Sequence, residues 1–195
     1  RVMANIRRMA QKKPKKVVIL YGHGEKRRDA MLQSFRNQLE RHHVVEEITE
    51  EQGGFFLAPG GTNIGQYDVL IVPGPTEFIP SLVLEQVDEF LAIGGKVMIL
   101  VDPVLVDPTN LTAELNQSNL AEYLSQYGIG VGNELVLDTV SNETLTFRTR
   151  FGIVNLPYPY WPQVQTTETQ ISGGVRSAVI TWASPLDLSL PSSES

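Results

Sequence analysis

The sequence predicts an α/β protein built on a doubly wound, mostly parallel sheet, with a β-rich extension at its C-terminal end. Two observations carry this. Short, β-branched apolar runs recur along the first two thirds of the chain, each stopped by Gly or Pro, and amphipathic segments of helical period lie between them. Strands alternating with helices in this way favour a parallel sheet covered on both faces. After Asp138 the pattern changes to alternating and proline-rich segments, which predicts the extension.

The elements follow in order. Val2, Ile6 and Met9 recur at near-helical spacing and predict a short helix over 2–10, with Pro14 in a linker. Lys16 to Tyr21 (KVVILY) reads as a strand buried on both faces, broken by Gly22-His23-Gly24-Glu25. Lys26 to Arg41 places Met31, Leu32, Phe35 and Leu39 on one helical face, and Val44 to Ile48 follows as a strand. Residues 49–66 hold five glycines and one proline and read as a surface loop. Asp68 to Val72 is a third strand, stopped by Pro73-Gly74-Pro75-Thr76. Ser81 to Ile93 is a helix, closed by Gly94-Gly95 where a C-cap favours positive φ. Lys96 to Val101 is a fourth strand, ended by Asp102-Pro103.

Asn119 to Tyr127 reads as a further helix capped by Gly128, and Glu134 to Leu137 as a fifth strand. Leu145 to Arg150 alternates like an exposed strand, and Leu156 to Pro162 (LPYPYWP) is rigid and aromatic. Arg176 to Trp182 is a last strand, and 185–195 reads as a frayed tail. The organisation is thus a basic helical lead-in and linker over 1–16, an α/β domain over 17–138, and a β/loop extension of the same domain over 139–195. A flavodoxin-like or class I glutamine amidotransferase-like arrangement is the expected architecture.

Composition narrows the chemistry. At 195 residues, 42% hydrophobic and 19% charged, the chain can bury a real core. It has no cysteine, which removes disulfides, thiolate metal sites and cysteine nucleophiles. No run of about 18 apolar residues predicts a membrane span, and no apolar h-region follows the basic start. Opening on Arg1, the chain reads as a piece of something longer. The net charge of −6 is split: residues 1–16 carry seven basic and no acidic residues, and the rest carries 9 basic against 22 acidic. An acidic body repels a phosphate backbone, so nucleic acid is not an expected partner.

In an open parallel sheet, ligands bind beyond the carboxyl ends of the strands. Three loops should meet there: Gly22-His23-Gly24-Glu25, Pro73-Gly74-Pro75-Thr76-Glu77-Phe78, and Asp102-Pro103 onward to Asp107, with Gly22 to Glu25, Gly74, Pro75, Thr76 and Asp102 as the candidate residues. Together they form a candidate site for a small molecule. The same residues have a structural reading: the glycines make tight turns, Glu25 favours a helix start, and a backbone carbonyl holds His23. No G-x-S-x-G elbow, P-loop or G-x-G-x-x-G fingerprint is present, so no catalytic residue is assigned; the alternative to a binding module is a small-molecule hydrolase or amidotransferase-like enzyme using the His23 and Glu25 loop. His42 and His43 are adjacent and cannot share one helical face; His23, Glu25 and Asp102 are too scattered to predict a metal, and no cofactor is expected. Asn110, Asn116 and Asn142 open short glycosylation-like sequons. Tyr158, Tyr160 and Trp161, set between prolines, are the candidate surface for a partner or glycan, or else the cover of one end of the core.

Read in order, these motifs resemble the GldG-type auxiliary family of uncharacterised ABC transport systems. The resemblance rests on an apolar strand ending in G-H-G-E (Val17 to Glu25), a strand ending in a G-P turn (Asp68 to Pro75), a helix closing in G-G before a strand and D-P (Leu84 to Pro103), a Y-G-I helix end (Tyr127 to Ile129), and a strand end at Asp138. It implies an extracytoplasmic, periplasmic-side domain, tethered by membrane segments outside this sequence and partnered with ABC permease and ATPase subunits. Gliding motility in some bacteria, and kinship with a domain of an intraflagellar transport subunit, belong to the same implication, which favours scaffolding over catalysis.

Overall fold

A computed structural model describes residues 14–25, 30–49, 64–166 and 175–188. The expected helix over 2–10, most of the glycine-rich loop and the end of the expected tail lie outside these residues. The chain divides into two compact units, one of residues 1–101 with 117–123, the other of 102–116 with 124–195.

The first unit is built on a four-stranded parallel sheet. Its strands are β1 (Lys16–Tyr21), β2 (Val44–Thr49), β3 (Val69–Pro73) and β4 (Lys96–Leu100), in the order β2-β1-β3-β4. Helix α1 (Ala30–Leu39) connects β1 to β2, and α2 (Ser81–Ala92) connects β3 to β4. The two central strands are the most apolar in sequence and the most deeply buried: Val17 to Tyr21 and Leu70 to Val72 are all nearly inaccessible to solvent. Alternation along β1 sends Val17, Ile19 and Tyr21 to one face, where Ile71 joins them and Phe35 and Leu39 of α1 pack from above. On the other side Leu20 and Val72 lie beside Ile79, Val83 and Val87 of the α2 segment, with Leu120 and Tyr123, leaving a void of only about 10 Å³. β4 at the edge is half exposed, with Met98 open to solvent.

The predicted Gly-Gly stop of α2 is present and each glycine has its own reason. Gly94 takes φ +89, a backbone conformation that a Cβ disfavours. Gly95 lies flat against the ring of Phe90, where an added Cβ would stand 2.5 Å from ring carbons. The G-G pair therefore ends the helix and lets Phe90, fully buried, seal the core.

The second unit is antiparallel throughout. Strands β5 (Val104–Val106) and β6 (Ala113–Leu115) form a small hairpin. Helix α3 (Leu120–Ser125), which begins in the first unit, leads to β7 (Ile129–Val131), and β7 pairs with β11 (Leu186–Leu188). The largest element is a long ribbon of β8 (Asn142–Thr149) and β9 (Gly152–Gln165), extended by β10 (Ser177–Val179) into a sheet of order β10-β9-β8.

This architecture overturns the doubly wound expectation. Parallel pairing stops at four strands, and β5 to β11 all pair antiparallel. The expected fifth parallel strand, Glu134 to Leu137, is irregular; Val136 gives its N–H to Ala183 across a loop instead of entering a ladder. The strand of that region is Ile129–Val131, and it pairs with a segment near the C-terminus. The physical cause is the shortness of the apolar run: three apolar residues without β-branched neighbours on both sides cannot fill a central, doubly covered position, whereas a two-stranded antiparallel pair needs only one covered face. Leu156 to Pro162, the rigid aromatic stretch, lies inside β9.

Candidate functional site

The carboxyl edge of the parallel sheet brings together most of the residues singled out from the sequence. Gly22, with φ 126, and Gly24, with φ 79, turn the chain sharply after β1. Within this turn the Glu25 carboxylate accepts hydrogen bonds from the N–H groups of Gly22 (2.9 Å) and His23 (2.8 Å), so the loop is folded around its own acidic side chain. The second carboxylate oxygen lies 3.5 Å from His23 Nδ1, and both side chains are about 2% or less exposed. Burial pushes the Glu25 carboxyl up, but the His23 side chain and the backbone N–H groups of His23, Glu25 and Gly22 outweigh it and hold the carboxyl below its ordinary value.

The second loop fastens onto the first. The carbonyl of His23 accepts from the N–H groups of Thr76 and Glu77, both at 2.9 Å, and the Thr76 hydroxyl donates to the carbonyl of Gly24 at 2.9 Å. Gly24 is pressed so close that an added Cβ would stand 2.2 Å from Thr76 Oγ1. Gly74, with φ 67, donates to the carbonyl of Leu100 at the end of β4, and Pro75 is fully buried. Beyond this loop Asn119 holds the chain in place: its side chain accepts from the Ile79 N–H (2.9 Å) and donates to the Ile79 carbonyl (3.0 Å), imitating a paired strand. Asn119 did not stand out in the sequence, because a polar side chain that bonds a distant backbone leaves no local pattern.

Thus the predicted Gly22-to-Glu25 and Gly74-to-Thr76 loops do meet, and they are spent largely on each other. Asp102 falls in the second unit, where its carbonyl accepts from the Asn116 side chain (2.7 Å). Among the described residues, no three His, Asp or Glu side chains converge as a metal site. The larger cavity of the first unit, about 310 Å³, lies at the opposite, amino edge of the sheet, lined by Lys15, Tyr67, Asp68, Phe90, Gly94 and Lys96. There Asp68 binds Lys15 (2.7 Å) and the N–H of Lys16 (2.9 Å). Burial, together with a hydrogen bond to Glu46, pushes the Tyr67 hydroxyl up to about 12.

In the second unit, Tyr158, Tyr160 and Trp161 form one aromatic cluster, joined by Trp182. Tyr158 meets Trp161 edge-on at 5.8 Å, Trp161 meets Trp182 at 5.4 Å, and Tyr158 lies 5.7 Å from Tyr160. A register shift between Asn142 and Glu143, which pair with Pro162 and Tyr158, places three extra residues in β9. The irregularity absorbs prolines that a regular central strand excludes, and it lets Trp161 reach the same side as Tyr158. Trp182 Nε1 donates to the Tyr158 hydroxyl at 3.3 Å, and its N–H donates to the Tyr160 carbonyl at 3.0 Å. Tyr160 is the most open of the three predicted aromatics.

Fold and site together define a sheet-rich domain of mixed parallel and antiparallel pairing, with carboxyl-edge loops fastened to one another and an aromatic cluster on a long ribbon. The family model for an ABC-type uncharacterized transport system, auxiliary component, matches residues 14–195. The chain belongs to this family, and is thereby an auxiliary component of an ABC-type transport system. Comparison with curated proteins finds no match. Among solved structures, the chain is similar to the mmIFT52 N-terminal domain, with a TM-score of 0.60 and 16% identity over 91% of this chain and 70% of that one. At this identity the likeness is one of fold, and it too stands in place of a doubly wound architecture.

Proposed function

We propose that the chain is a non-catalytic binding and assembly domain of GldG type, standing on the extracytoplasmic side of the membrane and contacting the permease and ATPase assembly of its transport system. The observation that carries this reading is the fate of His23 and Glu25. They are the most reactive pair at the expected ligand edge, and both side chains are buried, the Glu25 carboxylate bonded to the backbone N–H groups of its own turn with the His23 ring beside it. A general acid or base must reach its substrate within hydrogen-bond distance, and both of these side chains are closed off from solvent. Membership in an auxiliary transport family supports the same conclusion. In this reading Tyr158, Tyr160 and Trp161 are the partner surface, since clustered aromatics anchor interfaces. The edge formed by Gly22, His23, Gly24, Glu25, Gly74, Pro75 and Thr76 is the place for a small molecule or glycan if one is carried. Segments outside this sequence supply the membrane tether: among the described residues no helix is long and apolar enough to cross a bilayer.

The test is co-purification with the cognate permease and ATPase from solubilised membranes, comparing the native chain with Tyr160→Ser. The expected result is capture of both subunits by the native chain and at least a tenfold loss with the variant. Turnover of a small-molecule library by the isolated chain, abolished in His23→Ala at unchanged melting temperature, would replace this reading with an enzymatic one.

A further inference from the structure

Among the described residues, the distal half of the β8–β9 ribbon is open to solvent at Phe151, Ile153, Val154 and Leu156. Its register places Leu145 opposite Leu156 and Phe147 opposite Val154, so these four share one face of the two-stranded ribbon. Thr146 opposite Asn155, and Arg148 opposite Ile153, share the other. At the tip Phe151 is 92% exposed and Ile153 65%, and Leu156 is also open to solvent. An isolated two-stranded ribbon is marginal in water unless its apolar face is covered.

Charge tells what covers it. From Thr144 to Thr167 the sequence contains no Asp or Glu, although the chain as a whole carries 22 of them. The only charged side chains in that stretch are Arg148 and Arg150, which flank the tip. Neither forms an ion pair among the described residues; Arg150 instead stacks over the Phe151 ring at 5.7 Å. Apart from Glu143 at its base, this acidic protein thus carries no carboxylate on the exposed ribbon, and it places two arginines beside an aromatic at the ribbon's end. Aromatic and aliphatic groups at a tip flanked by cations match an anionic bilayer surface, where the rings enter the headgroup–acyl boundary and the guanidinium groups meet lipid phosphates.

We infer that the tip of the β8–β9 ribbon, with Arg148, Arg150, Phe151 and Ile153, docks on an anionic phospholipid surface. The depth of contact is limited by hydrogen bonding. β8 is the edge of its sheet, and an open strand edge does not enter hydrocarbon. Only the tip and the adjoining apolar face are engaged. At roughly 3.3 Å per residue, Tyr158 lies about 20 Å of strand from Phe151, so the aromatic cluster stays above the lipid.

The experiment is co-sedimentation of the chain with phosphatidylglycerol–phosphatidylcholine vesicles and with phosphatidylcholine vesicles alone. Binding to the anionic vesicles, weakened by salt, is expected. Arg148→Gln with Arg150→Gln should reduce it about thirtyfold, at roughly a factor of five for each cation. Phe151→Ser with Ile153→Ser should reduce it at least tenfold. All four residues lie on the exposed tip, so melting temperature should be unchanged and serves as the control for folding. Equal binding to neutral and anionic vesicles, or no vesicle binding by a folded chain, would overturn the inference. So would tip variants that lose capture of the transporter subunits while leaving lipid binding intact, since the tip would then be a protein contact.

Discussion

The two regions of this molecule that drew interest in the sequence have opposite designs. At the carboxyl edge of the parallel sheet, His23, Glu25 and Thr76 are buried or committed: one loop folds around the Glu25 carboxylate, and the other is fastened to it through backbone carbonyls and a hydroxyl. On the β8–β9 ribbon, Phe151, Ile153, Leu156 and Tyr160 stay open to solvent. Polar residues have been turned inward as fasteners and apolar ones outward as surface. The comparison teaches that residue chemistry alone does not locate a working surface. A histidine and a glutamate after a parallel strand suggest reactivity, yet here they act as architecture.

The sharpest way to break this contrast is to truncate one aromatic in each region. Phe90→Ala, at the centre of the first unit, should cost about 3–5 kcal/mol because the fully buried ring also packs against Gly95. Phe151→Ala should change stability by no more than about 0.5 kcal/mol. Denaturant titration of both variants checks the pair; comparable losses would mean that the ribbon tip belongs to a core.

A smaller effect separates two glycines with similar backbone angles. Gly24→Ala adds a Cβ 2.2 Å from Thr76 Oγ1 at φ +79, and should cost about 3 kcal/mol from strain and overlap together. Gly94→Ala meets no atom within 4 Å at φ +89, and should cost about 1 kcal/mol from strain alone. Thermal melts distinguish them, and equal costs would show that the two loops are not pressed together.

Smaller still are the pH effects, which test whether the fasteners are ionic. Glu25 is held below its ordinary pKa, so its contribution is present above the unfolded value and is lost as pH falls through the folded one. Tyr67 is raised to about 12 from 10.0, so its contribution is present below 10 and is lost as pH climbs toward 12. Glu25→Gln should flatten the acid limb of stability against pH, and Tyr67→Phe the alkaline limb. Limbs unchanged by the substitutions would place the titrating groups elsewhere.

How much of this was legible follows from how local each signal is. β1, β3 and α2 were readable because apolar runs and helical periodicity lie within one segment, and the observed bounds fall within about a residue of those expected. The meeting of the Gly22 and Gly74 loops was readable too, since consecutive parallel strands place their ends on one edge. The architecture beyond β4 was not. The hairpin of β5 and β6 has three-residue strands, too short for a period of two to register. β9 hides behind Pro157, Pro159 and Pro162, which argue against a strand unless the register shift is known. Trp182 joins the aromatic cluster from more than twenty positions away, and no local pattern announces that.

The measurement closest to the central claim is amide hydrogen exchange on the chain, alone and in complex with the solubilised permease and ATPase assembly. The account predicts new protection along residues 156–165, around the aromatic cluster, and none at 22–25 or 74–77, where the loops are already bonded to each other. New protection confined to 22–25 and 74–77, with the ribbon exchanging as before, would contradict it and return the working surface to the edge of the parallel sheet.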